Sequence, residues 1–255
     1  MEHGCKGVKE IRYTRKLVLY VLNFLARIAV FLLILFLYVN HKEQLTEFMV
    51  SPLYFGISPL MVIWCYFMLV MLLHIFPSKL TSMALLKSRE DTFIPVPGYS
   101  EFELLKYVQD QNRKAWRVML YWLCFNAMFA FFYLIGVLEE GDLFMLTVFY
   151  FLSDYICILL FCPFQTVVMK NKCCINCRIY DWGHFMMFTP MLFIKSFFSW
   201  SLFFTSVVVL IKWELVYAKY PERFWNGSNQ VLRCVQCRDR TCHLKAALKL
   251  GRKSA

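Results

Sequence analysis

The most constraining feature of this chain is a series of apolar runs longer than any soluble core requires. Residues 17–38, 55–76, 116–137 and 143–164 each exceed the ~18 residues that read as a membrane-spanning helix, and none holds more than one charged side chain. Composition agrees. With 60% hydrophobic and 18% charged residues and a mean hydropathy of +0.52, too few polar side chains exist to cover a compact soluble particle. The sequence predicts an all-α polytopic membrane protein. The first run is too long for the apolar region of a cleaved signal and has no small-residue cleavage site after it, so it reads as an uncleaved span.

Basic residues set the predicted orientation, because Lys and Arg resist translocation and collect in cytoplasmic loops. Residues 1–16 carry five of them, 77–115 six, 170–183 three and the stretch from 214 onward nine, while the two opposite loops hold Lys42 alone. Both termini, the long loop and the connector are therefore expected on the cytoplasmic side. The formal charge of +11 is first a topology signal; it favours anionic lipids and a cytoplasmic protein partner over nucleic acid.

Residues 184–213 are apolar, start on the cytoplasmic side after four spans and must return there. An in-and-out hairpin, either two minimal spans or a re-entrant pair, is expected, five to six transmembrane segments in total, with Lys195-Ser196 near the turn; the alternative, an interfacial helix followed by a single span, would break the charge rule. Thr189-Pro190 and Lys195 shorten the first limb below the ~20 residues of a full crossing, leaving a fuller second limb at 197–213. The layout is a basic N-tail (1–16), a helical membrane domain (17–213) with a cytoplasmic loop (77–115), and a basic Cys-containing tail (214–255). In the loop, Ser100-Glu101-Phe102-Glu103 matches a capping box, so a helix should begin at Glu101 and run unbroken into the third span. The acidic link 138–142 is short enough only for a tight antiparallel turn.

Six of the 11 Cys fall in two predicted cytoplasmic stretches, 173–177 and 234–242. Each stretch contains a Cys-x-x-Cys, the spacing with which one turn presents two thiolates to a metal, and two such pairs complete a tetrahedral site. The hairpin would bring its two feet together. Zinc held by Cys174, Cys177, Cys234 and Cys237 in a small metal knuckle is the first expectation. An iron–sulfur cluster is the alternative, with Cys173, Cys242, His184 and His243 as further ligands. Cys65, Cys124, Cys157 and Cys162 lie within spans and read as small apolar residues.

Depth arithmetic supplies a second candidate site. Arg27, Asn126 and Asp154 fall almost on the midpoints of their predicted spans. A midplane charge costs at least ~2.5–3.5 kcal/mol on insertion scales and normally faces a partner inside the bundle. An Arg27–Asp154 pair capped by the Asn126 amide would satisfy all three. It would serve as a buried polar site or as a lock between the first and fourth spans.

The sequence lacks a phosphate loop, a Gly-x-Ser-x-Gly elbow, a His-Glu-x-x-His, a dinucleotide fingerprint and an Asp-His-His-Cys signature. Three functions remain in view: a membrane protein with a structural or sensory zinc site that recruits a partner, a membrane oxidoreductase with an iron–sulfur or dithiol centre, and a small transporter using the midplane residues.

Overall fold

The computed structural model describes residues 15–40, 58–77, 82–171, 173–174, 176–233, 237, 239, 241–242 and 245. Among them the chain is helical with no strand, the nearest approach to one being an isolated Pro95–Asn229 bridge. Six helices carry the architecture: α1 (Arg15–Asn40), α2 (Pro59–Ile75), α3 (Glu101–Leu134), α4 (Glu140–Leu159), α5 (Gly183–Phe188) and α6 (Phe197–Lys219). Of these, α1, α3, α4 and α6 are long and apolar enough to cross a membrane. This is not quite the expected set of four. The 55–76 run yields a helix of 17 residues, because Ser58 caps it, accepting from the Met61 N–H at 3.2 Å, with Pro59 at the first helical position. The second limb of the hairpin takes its place among the long helices.

Two helix pairs fix the arrangement. Along α1 and α4, Tyr38 meets Asp142, Phe31 lies 6.4 Å from Phe149, Arg27 pairs with Asp154, and Asn23 donates to the Tyr155 hydroxyl at 3.3 Å. Numbers that fall on one helix as they rise on the other make the pair antiparallel. Along α2 and α6, the Trp64 indole donates to Ser201 Oγ at 2.7 Å and the Lys212 ammonium donates to the Ile75 carbonyl. A constant offset makes this pair parallel. The segment before α6 therefore has to climb the bundle so that α6 can descend beside α2. It does so as α5 followed by a 3-10 stretch, Thr189–Phe193, packed antiparallel to α6. Phe185 lies 6.2 Å from Phe203, and the Trp200 indole donates to the Leu192 carbonyl at 3.2 Å. Pro190 in the second position of the 3-10 stretch explains why the first limb stays short and broken.

The start of α1, the start of α3 and the ends of α2, α4 and α6 consequently share one end of the bundle, here termed the basic end. At the other end, α3 closes with a Schellman turn: Gly136 at φ +78° lets its own N–H reach the Tyr133 carbonyl and the Val137 N–H reach that of Phe132, each at 3.0 Å. α4 follows at once, its Asp142 carboxylate accepting from the Glu139 N–H at 2.7 Å. The predicted helix from Glu101 into the third span is present whole, Ser100 Oγ accepting from the Glu103 N–H at 3.4 Å. Its 34 residues measure about 51 Å, well beyond a ~30 Å hydrocarbon core.

α1 buries only Leu17 and Ile34, and side chains such as Leu33, Phe36, Trp116 and Leu134 face outward, as suits helices solvated by lipid. Lipid is as apolar as Leu, so packing and interhelical hydrogen bonds hold such helices together rather than transfer out of water. Met71, Trp122, Tyr150, Phe188 and Val209 form the central core, and Val118, Trp182, Trp213, Tyr217 and Phe224 form a second core at the basic end.

Candidate functional site

The buried polar groups lie along a tract that starts halfway down the bundle and widens at the basic end. Its inner member is the Arg27–Asp154 pair, Nη1 to Oδ2 at 3.0 Å. The same Nη1 donates to the Phe151 carbonyl at 2.6 Å, and the guanidinium lies 4.0 Å from the Phe151 ring centroid and 3.9 Å from that of Tyr155. One cation thus has an ion pair, a carbonyl and two π faces, the type of company a charge at membrane depth requires. Asn126 does not join it. Its amide donates to the Trp122 carbonyl at 2.9 Å and its oxygen accepts from the Tyr150 hydroxyl at 3.2 Å, so the expected three-residue site is a pair. Equal depth sets height along a helix, not direction around it. Asn126 lies one turn from Trp122 and Ala130 on the buried face of α3 and looks at Tyr150.

Gly183, at the head of α5, presses on the other Asp154 oxygen: a Cβ there would lie 3.1 Å from Oδ1. The next residue, His184, sets its ring edge-on to His74 with centroids 4.5 Å apart. The His74 Nδ1 lies 2.5 Å from Asp181 Oδ1. Asp181 is only 3% exposed, and burial pushes its carboxyl above the usual range, with the His74 hydrogen bond opposing. His184 Nδ1 is shielded from solvent and, among the described residues, has no hydrogen-bond partner. Asp181, His74 and His184 thereby form a run of polar side chains that the Gly183 backbone joins to the Asp154–Arg27 pair. Neither His74 nor Asp181 is singled out in the sequence analysis. The available signal was an Asp and a His flanking Trp-Gly between two apolar stretches.

Beyond this run, Arg178 Nη2 lies 2.5 Å from Glu214 Oε2, and the Trp182 indole donates to the other Glu214 oxygen at 2.8 Å. Lys87 is buried, donating to the Cys177 carbonyl at 2.9 Å and lying 5.5 Å from the Trp213 ring centroid. Burial lowers its pKa from 10.5 to about 8, against the opposing pull of neighbouring thiols and Asp181.

The expected metal ligands divide among several surroundings. Cys174 and Cys177 close one turn, Cys177 N–H to the Cys174 carbonyl at 3.0 Å, and both are buried. The Cys174 Sγ lies 2.9 Å from Gln165 Oε1 and 2.8 Å from Lys245 Nζ. Burial raises its thiol pKa, the nearby ammonium opposing, and burial pushes that of Cys177 up to about 12. Cys173 and Cys237 pack on one apolar patch made by Ala84 and Leu232. Cys242 is half-buried, and Cys234 and His243 lie outside the described residues. Among the described residues no three His, Cys, Asp or Glu side chains are grouped to hold a metal ion.

Neither a family model, a curated protein nor a solved structure matches the chain.

Proposed function

We propose that this chain is a small multi-pass membrane transport protein, both tails cytoplasmic, that moves protons through the tract from Asp181 to Asp154. The observation that carries this reading is the Arg27–Asp154 pair with the backbone of Gly183 against its carboxylate. An ion pair that lies beside the start of a broken helix has the construction from which transporter sites are made, because irregular backbone at membrane depth persists only where it lines a site or is packed in protein. The neighbouring His74–Asp181 contact and the buried His184 ring continue the tract with further polar side chains. The cytoplasmic orientation is supported by the basic residues gathered at one end of the bundle. The 184–213 segment then acts as a re-entrant hairpin that enters and leaves on that side.

The test is proton flux into liposomes containing the purified chain, followed with an entrapped pH dye under a potassium diffusion potential. Asp154→Asn should abolish the flux at unchanged incorporation. Wild-type flux from that variant sinks the reading.

A zinc site built from the connector and tail cysteines is a second proposal, supported by the shared patch of Cys173 and Cys237. About one zinc per chain after anaerobic purification would support it. A metal-free chain would remove it, and iron with acid-labile sulfide would favour the cluster instead.

A further inference from the structure

Outside that tract, the N-terminal half of α3 presents two opposed faces. Leu104, Gln111, Ala115 and Val118 are buried against the rest of the chain, and Tyr107, on the same side, stacks on Trp225. At about 100° per residue, the opposite face is a single stripe in steps of three and four: Phe102, Leu105, Gln109, Arg113, Trp116 and Leu120. Phe102, Leu105 and Trp116 are 77%, 61% and 75% exposed. Lys106 and Arg117, also exposed, line one edge of the stripe. Among the described residues, Lys106, Arg113 and Arg117 have no ion pair or hydrogen bond. The nearest acid, Asp110, is tied to Lys114. The stripe is therefore apolar along one side, cationic along the other and free of carboxylates.

Lipid covers only its foot. The apolar run begins at residue 116, which sets Trp116 and Leu120 at the membrane edge. Phe102 stands about 21 Å farther along the rod, whereas headgroups extend only about 5–8 Å beyond the hydrocarbon. Phe102, Leu105 and Lys106 thus face solution. The chain's own ends do not suit the face by charge, since residues 1–14 and 246–255 each carry more basic than acidic side chains. A second copy would set the same cations against one another. We propose that this stripe docks an acidic amphipathic helix of a partner protein on the basic-end side of the membrane. The apolar ridge of that helix lies on Phe102 and Leu105, and its Asp or Glu side chains meet Lys106 and Arg113. The spacing supports a helical occupant. Lys106 and Arg113 stand seven residues apart, the repeat at which a helix laid alongside returns its flanking charges to the same side.

The test uses the full chain in phosphatidylcholine nanodiscs and a fluorescent peptide of three heptads, Leu at the apolar positions and Glu at the flanking ones. Anisotropy should report binding to chain-bearing discs and none to empty discs, and a peptide with Lys in place of every Glu should not bind. Lys106→Glu with Arg113→Glu should weaken binding at least roughly tenfold, as should salt at about 0.5 M. Phe102→Ser with Leu105→Ser should weaken it several-fold. All four positions are exposed, so the thermal profile of these variants should match that of the wild type. A benzoylphenylalanine at Gln109 supplies a second readout and should cross-link the Glu peptide on illumination. The proposal is overturned if both peptides bind alike, if the charge reversal leaves binding unchanged, or if Gln109 captures no peptide. It is also overturned if the discs ignore the Glu peptide but tether phosphatidylserine vesicles through the same cations, or if the stripe pairs two copies of the chain. Proton flux plays no part in these readouts, so the transport reading and this one fail separately.

Discussion

The two ends of the bundle are built on different principles. At the basic end, Lys87, Arg178, Asp181 and Arg223 are all buried, each with hydrogen-bond or ion-pair partners from a different segment of the chain. At the opposite end, α1, α3 and α4 meet through aromatic and aliphatic side chains around an open hollow of about 350 Å³, lined by Phe31, Phe129, Leu146 and Phe149 with Tyr38 and Asp142 at its rim. The difference teaches where sequence changes should matter. Polar networks at low dielectric fail expensively when one member is removed, whereas apolar packing in lipid fails by increments.

The largest effect should come from breaking the Arg27–Asp154 pair on one side only. Asp154→Ala leaves a cation at membrane depth and should cost about 3–5 kcal/mol, read as loss of the monodisperse peak in a thermal challenge in detergent. Replacing both residues, Arg27→Met with Asp154→Leu, should recover most of that stability while leaving flux abolished. A double variant no more stable than the single one would erase the contrast between the ends.

Lys87 gives the next effect and a pH signature. Its folded pKa of about 8 lies below the ordinary 10.5, so the folded state gives up the proton first, and stability rises with pH between those two values. Below about 8 the cost of burying the charge is fully present, and above 10.5 it is gone. The span corresponds to about 3 kcal/mol. Unfolding midpoints from pH 7 to 10.5 should climb in the wild type relative to Lys87→Met, whose profile lacks this component.

Gly183→Ala should act through position. Its Cβ would meet Asp154 Oδ1 at 3.1 Å, so the carboxylate has to shift, and proton flux should fall several-fold while thermal stability drops by about 1 kcal/mol. The smallest effect belongs to the opposite end. Gly136→Ala, at φ +78° with open space around it, should cost about 1 kcal/mol from backbone conformation alone and leave flux untouched. A flux defect there would mean that the two ends are more tightly coupled than their chemistry suggests.

What was legible in the sequence follows from what sequence encodes directly. Apolar run length located α1, α2, α3 and α4, counting the 17-residue α2 as a full span, and the capping residues located the start of α3 to the residue. Charge placement required 184–213 to double back, and Pro190 marked which limb would be short. Pairing of Arg27 with Asp154 was legible because two opposite charges at one depth have few other partners. Asn126 was misassigned because depth carries no azimuth. The stop of α4 at Leu159 and the π turn after it were hidden because neither event has a hydropathy signature. Lys87 was invisible as a buried group for a related reason: its cage of Trp213, Phe224 and the Cys177 carbonyl comes from segments ninety or more residues away.

One consequence of the long α3 remains. Its N-terminal turns stand clear of the bundle's apolar band, and Tyr107 on that extension stacks on Trp225 with centroids 5.6 Å apart, while lower down Trp122 donates to Thr189 of the broken limb at 3.1 Å. A single rod therefore joins Thr189 of the broken limb to Trp225 beyond α6. A tilt of a few degrees at its foot becomes a displacement of ångströms at its head, so a shift at Thr189 is carried to Trp225.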